Sequence, residues 1–162
     1  MPRRHINPDA TRLAASGAAA VPRDVVESRV GRARDCLALL LQGGPRALVG
    51  WQGLAGVVNI SEAFGELGIG RGGDAPRILR EATDTLARIW AHAEERKTWA
   101  LTLEQRVEVS ERCGLLVDLY ALQLGSASQS EHERAFNRSN ARLESAKRGQ
   151  YGKGVTAVGR SA

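Results

Sequence analysis

The chain has 162 residues, of which 43% are hydrophobic, 25% charged and only 4% aromatic, with a net charge of +5. That is enough chain for one domain with a real core, and the shortage of aromatics leaves that core to Leu, Val, Ile and Ala. No apolar run reaches the roughly 18 residues of a membrane span, and no alternating stretch of five or more residues marks a strand.

Charge concentrates at the ends. Residues 1–23 carry +3 and residues 147–162 carry +4, which leaves −2 for the centre. Basic ends can meet phosphates or an acidic protein surface, or simply remain solvated. "LAASGAAAVP", from Leu13 to Pro22, has only Leu13 and Val21 as strongly apolar residues, too few for the core of a signal peptide. Residues 1–21 are therefore expected to form a flexible basic arm, and the protein is expected to be cytoplasmic. Cys36 and Cys113 form no C-x-x-C pair and lie among aliphatic neighbours, so both thiols are expected to be free and buried.

Pro22 opens a first helix in which Val26, Val30, Ala33, Leu37 and Leu40 recur at helical spacing, and "QGGP" from Gln42 to Pro45 ends it. The second helix, Pro45 to Leu67, carries Leu48, Trp51, Ala55, Val58 and Glu62 on one line, with Leu54 and Val57 beside it. Gly50, Gly53 and Gly56 lie inside it; each costs about 1 kcal/mol relative to Ala, which predicts either a closely approaching neighbour or an irregular helix start. Trp51, on a stretch with little side-chain cover, reads either as core or as an anchor for a partner.

"GELGIGRGGDAP", Gly65 to Pro76, contains the string G-x-G-x-x-G at Gly68, Gly70 and Gly73. A phosphate cradle of that kind needs a strand before the loop, and "NISEAFGEL" reads instead as a helix end. A Walker loop fails too, because Arg71-Gly72 follows Gly70 where Lys and Ser or Thr are required. The stretch is expected to be a helix-to-helix connector, with Gly68 capping the second helix and Arg71 exposed at its tip.

The third helix is expected to start at an Asp74 N-cap with Pro76 in its first turn, burying Ile78, Ala82, Thr85, Leu86, Ile89 and Ala93, and to end in the charged run Glu94 to Lys97. "TLEQ", Thr102 to Gln105, matches a capping box and opens a fourth helix with the stripe Leu103, Val107, Ser110, Gly114, Val117, Ala121 and Leu124, with Cys113, Leu116 and Tyr120 alongside. Gly114 again predicts a near crossing. Ser128 with Glu131 forms a second capping box for a fifth helix reaching about Lys147. Its apolar content is thin (Ala135, Phe136, Leu143, Ala146), so it lies on the bundle surface or needs another molecule, such as a second copy in a homodimer, to cover its stripe. The expected fold is all-α: a compact bundle of about five helices over residues 22–148, between the basic arm and a Gly-rich basic tail at 149–162.

Chemistry is sparse along the chain. His5, His92 and His132 stand apart from one another and from both cysteines, so no metal-ligand spacing is present. No G-x-S-x-G elbow or paired carboxylates occur, and only the fold could bring Cys113 to His92 as a nucleophile pair. Neither catalytic residues nor a cofactor are expected. "YALQLGSASQSEHERAF" resembles a helix-turn-helix superficially, but Ser126, Glu131 and Arg134 fall where that motif buries apolar side chains. What remains is a basic row on the fifth helix, Arg134, Arg138 and Arg142 at i, i+4 and i+8, continued by Lys147 and Arg148. Together with Arg71 and Trp51 these are the candidate partner-binding residues, able to pair with acidic groups or track phosphates.

The order "WQGLAGVVNISEAFGELGIG", "RILREATDTL", "LYALQLGSASQSEHERAF", covering roughly Trp51 to Phe136, resembles small helical proteins carried on proteobacterial plasmids and prophages. The resemblance implies a mobile-element setting and brings no catalytic residues with it. It favours a non-enzymatic inhibitor or regulator that binds a host protein or ribonucleoprotein defence complex by surface occlusion. The alternative is a DNA- or RNA-binding accessory protein using the same basic residues.

Overall fold

Five helices account for most of residues 17–147, the part of the chain that the computed structural model describes: α1 (Arg23–Gln42), α2 (Ala47–Glu66), α3 (Ala75–Arg96), α4 (Leu103–Ser126) and α5 (Gln129–Lys147). There is no strand among the described residues, and the chain is an all-α bundle. The tail at 149–162, Arg148, and residues 1–16 of the arm lie outside the described residues. Residues 17–21 do not: Ala20 forms an isolated antiparallel bridge with Ser128, Gln129 N–H donates to Ala19 O at 2.9 Å, and Val21 is buried. The docked part of the chain thus begins just before Pro22.

The ends of the helices follow local chemistry. Thr102 accepts from Gln105 N–H at 3.1 Å while Gln105 Oε1 accepts from Thr102 N–H at 2.9 Å, and Ser128 and Glu131 make the same reciprocal pair at 3.2 and 2.8 Å. Asp74 departs from expectation. Its side chain makes no cap hydrogen bond and pairs instead with Arg77 at 3.2 Å. In the glycine-rich connector, Gly68 stands at φ +83°, Gly68 N–H donates to Gly65 O at 3.0 Å and Ile69 N–H to Phe64 O at 2.9 Å. These two bonds form a Schellman cap, with Ile69 and Phe64 both buried.

Helix α2 packs against all four others and has buried residues from Ala47 to Phe64, as an apolar helix at the centre of a bundle must. Its approach to α1 depends on Gly50 and Gly53. A Cβ at Gly50 would overlap the Cys36 carbonyl oxygen and stand 2.7 Å from Leu40 N, and one at Gly53 would overlap the Cys36 Sγ. The close neighbour predicted for these glycines is α1.

Between α3 and α4, Leu86, Ile89, Val109, Cys113 and Leu116 share the core. Above them Glu108 accepts from Thr85 Oγ1 at 3.0 Å and from Arg88, and faces Arg112 at 3.6 Å. Burial pulls the Glu108 pKa upward, but the bonds from Arg88 and Thr85 and the charges of Arg88 and Arg112 outweigh it and hold it below the ordinary carboxylate value. All three tryptophans meet where α2 and α3 adjoin the α3–α4 connection, with ring centroids 4.7 Å apart for Trp51–Trp90, 5.9 Å for Trp90–Trp99 and 6.5 Å for Trp51–Trp99.

Candidate interaction surfaces

The arginine row of α5 is largely spent within the molecule. Arg138 Nη1 lies 3.0 Å from Glu66 Oε2 and Arg142 pairs with the other oxygen of the same carboxylate, so both guanidinia pin α5 to the last turn of α2. These groups are partly exposed, and each pair is worth at most about 1 kcal/mol. Glu66 offsets one of the two positive charges, so the trio keeps +1, and a partner using both guanidinia would have to displace Glu66. Arg134 stays exposed, and Lys147 pairs with Glu144 at 3.0 Å. Arg71 is exposed at the connector tip as expected. Acidic and basic residues balance over 17–147, so the whole net charge of +5 belongs to the sequence on either side.

Trp51 is a core residue and not a surface anchor. It is 3% exposed, and its indole N–H donates to Leu86 O at 2.8 Å. The glycine-rich connector likewise offers no phosphate cradle. A Cβ at Gly70 would lie 2.7 Å from Gln123 Cγ, so the loop is packed onto α4. The cleft beside it, about 390 Å³, is lined by Glu62 and Glu66 as well as Arg71, a charge balance unsuited to an anion.

The outward face of α4 is the surface that the sequence reading misses. Leu103, Val107, Leu115 and Leu122 are 79%, 50%, 42% and 48% exposed, whereas Leu103 and Val107 were expected to be buried. Val117 and Leu124 of the expected stripe are buried, as are Cys113, Leu116 and Tyr120 alongside it, and with Val109, Leu119 and Gln123 they turn the buried face toward that flank. Gly114, expected at a near crossing, has no atom within 4 Å of where its Cβ would stand. The exposed side chains share one side of the helix over roughly 28 Å at 1.5 Å per residue, and Glu104, Glu111 and Asp118 are exposed among them.

Groups that could support catalysis are dispersed or shielded. Cys113 is fully buried, and burial, with Glu108 adding to it, pushes its thiol up to about 12, which leaves it a thiol at neutral pH. Among the described residues no group of three or more His, Cys, Asp or Glu side chains forms a metal site, and no helix is long and apolar enough to cross a membrane.

His132, in the first turn of α5, lies 4.5 Å from the Phe136 ring and 6.4 Å from that of Phe64, with its Nε2 buried and unpartnered. Burial and the nearby Arg29 charge lower its pKa from 6.5, against an opposing pull from Glu133. Below that value the unfolded chain takes up a proton that the folded chain resists, so stability falls as pH drops through 6.5 and levels off beneath the folded-state pKa. Urea unfolding is expected to show a lower midpoint at about pH 5.5 than at about pH 7.5, and His132→Gln is expected to flatten that difference. An unchanged slope in the variant would assign the pH dependence to other groups.

No protein-family model, curated protein or solved structure matches the chain.

Proposed function

We propose that the protein is a non-enzymatic interaction module that docks on a partner protein through the outward face of α4 and acts by occlusion, as an inhibitor or regulator of a host protein or ribonucleoprotein complex. The single observation that carries this reading is the row Leu103, Val107, Leu115 and Leu122, exposed along one side of a well-formed helix. Four large apolar side chains left exposed on one side of a helix, with acidic residues between them, offer the anchors of an interaction face. Gly114 adds to it. A glycine inside a helix costs about 1 kcal/mol, no internal packing uses the space in front of it, and that space lets another backbone come close.

Glu104, Glu111 and Asp118 beside the strip set the chemistry of the partner: a helix or segment with an apolar stripe flanked by Lys and Arg. A second copy would bring acid against acid on the same face, which disfavours self-association through α4. The phosphate-binding alternative has less support, since Glu66 engages two of the three arginines in the row and offsets one of their charges, and the described residues carry no net charge.

The test is capture from a proteobacterial lysate, with and without nuclease, using the whole chain, the double variant Val107→Lys/Leu115→Lys, and Arg134→Glu. Both substituted α4 residues are exposed, so the double variant should unfold at the wild-type temperature. A nuclease-resistant protein is expected with the wild type and with Arg134→Glu. At least tenfold less is expected with the double variant, a loss of about 1.4 kcal/mol. Recovery of nucleic acid alone, abolished by nuclease, or a partner lost only with Arg134→Glu, would overturn the α4 reading.

A further inference from the structure

A second concave site lies between α1, α2 and α5, with Tyr120 of α4 contributing to its wall. This cleft holds about 320 Å³, at the small end of the range for small-molecule sites. Ala33, Val57, Ile60, Phe136 and Leu143 supply apolar walls, Gly53 and Gly56 form part of the α2 side, and the Cys36 thiol lines it from α1.

Its charged lining is of one sign. Arg29 and Arg32 both line the cleft and no carboxylate does. Arg29 Cζ sits 4.4 Å over the Phe136 ring, and its charge also reaches Tyr120 and His132. Among the described residues neither arginine has a carboxylate partner, in contrast to Arg138 and Arg142 a short way along the same bundle. The Arg29 guanidinium, held over the Phe136 ring without a counter-ion and with the exposed Arg32 one turn away, is placed to take an anion.

Gly56 points to the same place. Gly50 and Gly53 are explained by the approach of α1, yet a Cβ at Gly56 would meet nothing within 4 Å. The space in front of it belongs to the cleft, so glycine there preserves volume and not a helix contact.

We infer that this cleft binds an amphiphilic monocarboxylate of about eight carbons, the carboxylate held by Arg29 and Arg32 and the chain lying over Gly56 against Val57, Ile60 and Leu143. The length follows from volume: at roughly 30 Å³ per water-sized atom the cleft takes about ten non-hydrogen atoms. The dissociation constant for a ligand of that size is expected to be on the order of 100 μM.

Octanoate is the probe, measured by calorimetry on the whole chain, with 1-octanol supplying the tail without the charge and acetate the charge without the tail. Octanoate is expected to bind with one site, octanol at least tenfold more weakly, and acetate without detectable heat. Bound octanoate should slow alkylation of Cys36 at least threefold; Cys113, fully buried, should not react in the folded protein. Arg29→Gln/Arg32→Gln should weaken octanoate at least tenfold and leave octanol unchanged. Gly56→Leu fills the cleft and should abolish binding and protection without lowering the unfolding temperature, which separates loss of the site from loss of the fold. Equal affinity for octanoate and octanol, unchanged octanoate binding by folded Gly56→Leu, or no protection of Cys36 at millimolar octanoate would overturn the inference.

Discussion

Gly50→Ala is expected to destabilise the protein by about 2–3 kcal/mol, although alanine is the better helix former by about 1 kcal/mol. The added methyl would meet the Cys36 carbonyl oxygen and Leu40 N, at 2.7 Å for the latter. Both are backbone atoms, so no rotamer change relieves the overlap. Helix α1 has to move off α2 and loosen the apolar contacts of Val30, Ala33 and Leu40. Gly56→Ala, six residues along the same helix in open space, isolates the propensity term and is expected to stabilise by about 0.5–1 kcal/mol. The difference between the two variants in urea unfolding is therefore the cost of the α1–α2 crossing itself. Equal stabilisation by both would mean that α1 does not rest on Gly50.

The helices were legible in the sequence because their signals are local. Two capping boxes, the glycine pair at 43–44 and the Schellman glycine at 68 each fix a boundary from residues within one turn, and the observed ends fall close to the expected ones. Orientation was less legible for α4. Its apolar residues go most of the way round, and the buried face includes Gln123 and Ser126, which a search for apolar periodicity discounts. Gln123 is buried because its amide donates to Ser61 O at 3.0 Å and Ile69 O at 3.4 Å, carbonyls supplied by α2 and the connector after it. No spacing within α4 reveals those partners.

The arginine row fails to be legible for the same reason. Arg134, Arg138 and Arg142 have the spacing of a free basic face, but the carboxylate that pairs with two of them is Glu66, 72 residues before Arg138. Spacing places charges on one side of a helix; only tertiary packing decides whether that side meets solvent or a counter-charge. Likewise Arg29 and Arg32 attract no notice as sequence. They become a candidate site because α5 brings Phe136 beneath one of them and leaves Gly56 facing empty space.

Trp51→Ala is expected to cost about 3–5 kcal/mol, the largest single effect anticipated for a side-chain truncation in this bundle. Trp51 is 3% exposed, has its ring centroid 4.7 Å from that of Trp90 with the planes tilted by 45°, and ties α2 to α3 through its bond to Leu86 O. Trp51→Phe keeps much of the apolar volume and loses the N–H donor, so it should cost about half as much, the separation between a hydrogen bond worth roughly 1 kcal/mol and the packing term. Near-UV circular dichroism provides an independent readout, because the chain's three tryptophans form this one cluster and removing one of its rings should change the spectrum of the other two. The measurement also decides between the two roles the sequence allows for Trp51. A residue that anchors a partner from the surface would lose binding on truncation with less than about 1 kcal/mol of stability; a core residue loses stability first, and a folded Trp51→Phe protein should still capture whatever the outward face of α4 captures.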